Sequence, residues 1–172
     1  RWERLPTQYN TAIGRIVSRH AILEDNLHKI MCGLLEISLT YGRIAVPMPR
    51  VADAITRIED LMQLRGFTTA LDLKGLKSDC KDLEEFRDKI SHGTWSKFPG
   101  YKVPVLQITT GKNRDGSKAR ISPKGGAITL PVMKSYVAGL DGAIKDVRRL
   151  TKELAKQHAA LRDKRTAQSR HS

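Results

Sequence analysis

The sequence predicts an all-α protein, an antiparallel four-helix bundle with a β-hairpin inserted between the third and last long helices. Three observations carry that expectation. Apolar residues recur in alternating steps of three and four along most of the chain. The connections between these segments are short. The helical period breaks only between about residues 101 and 130.

In the first segment the apolar face is Tyr9, Ile13, Ile16, His20, Leu23, Leu27, Ile30 and Leu34, an unbroken helical stripe. Thr40-Tyr41-Gly42 is expected to end this helix, with Pro47 and Pro49 marking the connection. A second helix is expected from about Arg50 to Arg65. Val51, Ile55, Ile58 and Met62 form its stripe, Ala54 and Leu61 widen it, and Gly66 serves as a stop. The third runs from about Thr69 to His92, with Leu73, Leu76, Cys80, Leu83, then Phe86 or Arg87, then Ile90.

From Gly93 to Leu130 the pattern changes. The stretch KVPVLQITT alternates and is rich in β-branched residues, GKNRDGSK is turn material, and ARISP with AITL supplies return strands. The last helix begins near Pro131 and carries Met133, Val137, Leu140, Ile144, Val147, Leu150 or Thr151, Leu154 and Leu161. Gly139 and Gly142 either weaken its start or permit close helix contact there. The domain is expected to span residues 1–161, with residues 162–172 a basic tail that frays or is disordered because it has no apolar face.

At 172 residues the chain can bury a core of its own. A 40% apolar content and a mean hydropathy of -0.41 are those of a soluble protein, and aromatics are only 5%. The most apolar run, IMCGLLEISL, is too short to span a membrane and contains Glu36, and no secretory signal is visible. Cys32 and Cys80 both fall on apolar stripes, as buried thiols do, which points to a reducing, cytoplasmic setting. No metal-ligand spacing and no cofactor motif is present, so neither a metal nor a cofactor is expected.

The charge is unevenly placed. Residues 1–92 hold 14 Lys and Arg against 13 Asp and Glu, whereas residues 93–172 hold 17 against 5. Localised basic surface either serves a polyanion partner such as RNA or DNA or is simply a solvated, sticky basic surface. Lys97, Lys102, Lys112, Arg114, Lys118, Arg120 and Lys124 crowd the hairpin region, opposed only by Asp115. Trp95, Phe98 and Tyr101 are interleaved, either to stack on bases or to cap the end of the bundle.

The third helix ends on EEFRDKISHGTW, residues 84–95, with Arg87 beside the stripe, Asp88 next to it, and Ser91-His92-Gly93 at the end. Five residues of regular helix turn about 500°, which would leave Arg87 and His92 about 140° apart. Convergence requires the helix to end between them, and Gly93 is suited to such an ending. Each residue also has an ordinary explanation: His at a helix C-terminus suits the dipole, and Arg can pair with Glu84 or Asp88.

RDKISHG resembles the signature of the HEPN superfamily, named for higher eukaryote and prokaryote nucleotide-binding domains. That signature is Arg, a polar residue, then His within a few positions, often followed by Gly. It lies near the end of the third helix of a four-helix bundle, the position expected here. The resemblance covers the helical part of the chain, about residues 9–161 without the hairpin. It implies a metal-independent endoribonuclease, acting as a toxin or in phage defence, in which a homodimer brings two motifs together across a cleft. An antitoxin or another protein partner is implied with it. Other members of the superfamily only bind nucleotides or act as scaffolds.

Carried onto this chain, Arg87, Asp88 and His92 are the catalytic candidates. RNA needs no metal-bound water, because its 2′-OH can attack the neighbouring phosphate. An imidazole exchanges a proton near neutrality, and a guanidinium matches phosphate oxygens. Ser91 can add a hydrogen bond. Glu24, in the first helix, is the acidic residue expected to hold the Arg, with Asp25 its competitor. Two departures stand out. Asp88 occupies a position where Asn is common, which adds negative charge beside a phosphate site. Thr94 stands where the nucleotidylation-regulated toxins have Tyr. The readings that remain are a nuclease, a non-catalytic nucleic-acid or protein-binding module, and an assembly component.

Overall fold

A computed structural model describes residues 5–96, 105–107 and 128–169. In chain order the elements are α1 (Thr7–Leu35), α2 (Leu39–Ala45), α3 (Val51–Arg65), α4 (Leu73–His92), β1 (Thr94–Ser96), β2 (Val105–Gln107) and α5 (Leu130–Ser169). The described residues are all-helical apart from one short antiparallel pair. Among the described residues, no helix is long and apolar enough to cross a membrane.

The chain divides into two compact units, Arg1–Ala21 with Asp82–Asp141, and Ile22–Lys81 with Gly142–Ser172. In the first, the stripes of the sequence become core: Tyr9, Ile16, Leu83, Phe86, Ile90, Met133 and Leu140 are all buried. Burying each such side chain contributes about 1.5–3 kcal/mol before entropy is counted. Of the two residues competing for the α4 stripe, Phe86 takes the core, its ring stacked on Tyr136 with centroids 3.4 Å apart. Arg87 is left at the edge. Gly139 lets α5 come close to α4, since a Cβ there would lie 3.1 Å from Leu83 Cδ2. Arg19 and Asp141 tie α1 to α5 at 2.9 Å.

One β pairing is present that the sequence did not signal. Val105–Gln107 pairs with Thr94–Ser96, in register Trp95 opposite Leu106. The Thr-Trp-Ser triplet is too short to show alternation, so only its partner identifies it as a strand. Most of the expected hairpin, including ARISP and the GKNRDGSK turn, lies outside the described residues.

In the second unit, Leu23, Leu27, Ile30, Met31 and Leu34 of α1 are buried, as are Val51, Ile55, Ile58 and Met62 of α3 and Ile144, Val147, Leu150 and Leu154 of α5. Helix α1 stops earlier than expected. Glu36 takes a left-handed φ of 58°, Glu36 N–H donates to Gly33 O, and Ile37 N–H donates to Cys32 O. This is a Schellman ending built on Glu instead of Gly. Arg65 Nη1, 2.6 Å from Glu36 Oε1, holds that residue in place. The Thr40-Tyr41-Gly42 stretch, expected to be a stop, is instead the middle of α2, whose N-cap Ser38 accepts from Tyr41 N–H. Gly42 is the buried residue of this turn and packs directly on Cys32.

Helix α3 has the expected bounds and ends on Gly66 at φ 67°. Helix α4 begins at Leu73 because Asp72 caps it, its Oδ1 accepting from Gly75 N–H at 2.9 Å. The preceding loop is fastened to α5. Thr69 Oγ1 donates to Glu153 Oε2 at 2.6 Å, and the Gln157 amide makes two bonds to the Thr68 backbone. The tail also departs from expectation. Helix α5 continues to Ser169 rather than fraying after Leu161. Arg, Lys, Ala and Gln are strong helix formers, so a helix already nucleated propagates through them without an apolar face.

Candidate functional site

The motif lies in the first unit, on the last turns of α4. Leu83, Phe86 and Ile90 anchor one side of the helix in the core. That anchoring leaves Arg87 and Asp88 half-buried beside them, with Ser91 and His92 exposed. Arg87 Nη1 lies 3.0 Å from Asp88 Oδ1. The guanidinium is thereby held along the helix flank, at a side-chain exposure of 25%.

The helix does not end between Arg87 and His92, contrary to the expectation from the sequence. It runs through His92, and Gly93 N–H still donates to Lys89 O at 2.9 Å, the ordinary helical bond. The two side chains therefore leave the axis about 140° apart. The last-turn Lys89 carbonyl finds a donor one residue beyond the helix, so nothing forces an earlier stop.

Two buried polar residues of the same unit were not singled out as functional in the sequence. His20 of α1 and Glu84 of α4 are 2% and 6% exposed. Their ligand-type atoms come within 4.8 Å of each other. Glu84 precedes Arg87 by three residues and Asp88 by four, so it shares their side of α4. His20 occupied a stripe position and was counted as core. The readable signal was a titratable residue in an otherwise aliphatic stripe. Glu24 is half-buried on α1, one turn after His20 and on the same helical face, at the start of the second unit. Asp25, its competitor, is engaged elsewhere: hydrogen bonding from Lys29, with Arg43 also near, holds its carboxyl below the usual range.

Trp95 follows the motif on β1 and meets Tyr9 edge-on, with centroids 5.9 Å apart. Burial pushes the Tyr9 phenol up from its ordinary value. Lys97, Lys102, Lys112, Arg114, Lys118, Arg120 and Lys124 all lie outside the described residues.

Comparison with known proteins finds no family model, no curated protein and no solved structure that matches the chain. Chemically, the arrangement offers a fixed guanidinium suited to a phosphate oxygen and an exposed imidazole able to carry a proton. The two are presented on different sides of one helix.

Proposed function

We propose that this chain is a HEPN-like, metal-independent endoribonuclease that cleaves RNA at a site shared between two copies. The observation that carries the reading is the exposed His92 at the end of α4, with Arg87 earlier on the same helix, fixed by Asp88. Because the two side chains diverge, the guanidinium that serves a given imidazole comes from the second copy. His92 takes the proton of the 2′-OH as that oxygen attacks the adjacent phosphorus. The bond to the 5′-oxygen breaks, and the same imidazole, now protonated, returns its proton to that oxygen. The products are a 2′,3′-cyclic phosphate and a free 5′-hydroxyl. Arg87 stabilises the charge that develops on the phosphoryl oxygens.

The test is cleavage of single-stranded RNA in EDTA by the full chain. Cleavage is expected to persist without divalent metal and to fall by about 10²-fold or more in His92→Ala, the scale of general acid–base contributions. Cleavage at the parent rate in both Arg87→Ala and His92→Ala would remove the site assignment.

The unbroken helix through His92 favours a second reading, a non-catalytic HEPN-like module that binds nucleic acid or a protein partner. The excess of 17 basic over 5 acidic residues after position 92 suits a polyanion. This reading expects salt-sensitive RNA binding with no product, weakened by charge reversal at Lys112 and Arg114. Binding indifferent to salt would count against it.

A further inference from the structure

The first unit contains a pocket of about 670 Å³ between the start of α1 and the start of α5, and it shares no residue with the motif. That volume is in the range of small-molecule sites. Ala12, Leu130 and Val137 supply apolar wall, and Thr11 a hydroxyl. The ionisable groups lining it are Arg15 from α1 and Lys134 from α5, and no described lining residue is acidic.

Three features of its electrostatics agree. A cation stands on each helix bordering the pocket, and among the described residues neither Arg15 nor Lys134 is in an ion pair. Neither α1 nor α5 has an acidic residue in its first turn, so neither helix dipole is offset there. Elsewhere in the same unit cations do find partners, as Arg19 finds Asp141 and Arg87 finds Asp88. An apolar wall beside two uncompensated positive groups selects against cations and offers a neutral molecule no charge-assisted contact. A polyanion would need an extended track, whereas this is a bounded pocket.

We propose that this pocket binds a small amphipathic anion. Its aliphatic or aromatic body lies against Ala12, Leu130 and Val137, and its carboxylate or phosphate head is held by Arg15 and Lys134. The proposal goes beyond the nuclease reading and stands without it.

Calorimetric titration of the full chain with octanoate tests it, with 1-octanol and inorganic phosphate as controls for body alone and head alone. Octanoate is expected to saturate at one per chain and to bind more tightly than either control. Combined Arg15→Gln and Lys134→Gln should weaken it roughly tenfold or more, as loss of charge-assisted contacts does. Thr11→Trp, an exposed position whose new ring would occupy the pocket, should abolish it. Arg87→Ala and His92→Ala should leave it unchanged, which separates this site from the RNA site. The proposal is overturned by absence of saturable octanoate binding, or by equal binding of either control. Equal affinity in the charge variant or in Thr11→Trp overturns it as well.

Discussion

Arg87 Nη1 lies 3.0 Å from Oδ1 of Asp88, its immediate neighbour in the chain. Successive residues on a helix point about 100° apart, so the long guanidinium has to swing sideways along the surface to make this contact. The pair fixes where the positive charge sits, and places a negative charge beside it.

Asp88→Asn should therefore strengthen RNA binding. Removing the carboxylate takes one repulsive charge from the phosphate path and leaves the guanidinium freer. The pair is partly exposed, so the gain is modest, a factor of about two to five in affinity. Filter binding at two salt concentrations would measure it. Weaker binding in the variant would mean that Asp88 serves to position Arg87 rather than to compete for it.

His92 is exposed and outside the core, so His92→Ala should change folding stability by no more than about 0.5 kcal/mol. Urea denaturation of the variant checks this. A larger loss would turn any effect on cleavage into a folding effect.

Gly42 packs against Cys32, and a Cβ added at position 42 would collide with the thiol sulfur. Gly42→Ala should destabilise the fold by about 1–3 kcal/mol, the usual range for overpacking. Combining it with Cys32→Ala removes the obstructing sulfur, so the double variant should lose less than the sum of the singles. Strict additivity in a thermal double-mutant cycle would show that the two residues are not in contact.

Burial raises the Tyr9 phenol above its ordinary value of 10.0. A phenol whose folded-state pKa is raised favours the folded form while neutral. That contribution is fully present below the unfolded value and is lost as pH climbs through the folded one. Tyr9→Phe should thus flatten the loss of stability above about pH 10. Measuring stability against pH from 8 to 11 tests this, and parallel curves for parent and variant would argue otherwise.

The helical stripes were legible because burial repeats with the helix period, and His20, Leu23, Leu27 and Ile58 are all in the core as read. What was not legible depended on partners distant in sequence. The end of α1 rests on Glu36 in a left-handed conformation held by Arg65, 29 residues away. Helix α2 has too few apolar positions inward for a stripe, its buried residue being a glycine. β1 is recognisable only from its pairing with Val105–Gln107. At the candidate site, Arg87 beside Asp88 could be read from adjacency. The burial of Glu84 with His20 could not, because it needs the relative rotation of α1 and α4 within the first unit.

The most direct measurement is RNA cleavage in EDTA by a mixture of two inactive proteins, Arg87→Ala and His92→Ala. A mixed pair carries one intact guanidinium and one intact imidazole on different chains, so a shared site is rebuilt. Equal amounts are expected to recover about a quarter of the parent activity, since half of randomly formed pairs are mixed and each restores one of two sites. No recovery, with mixed pairs shown to form, would contradict a site shared between two copies.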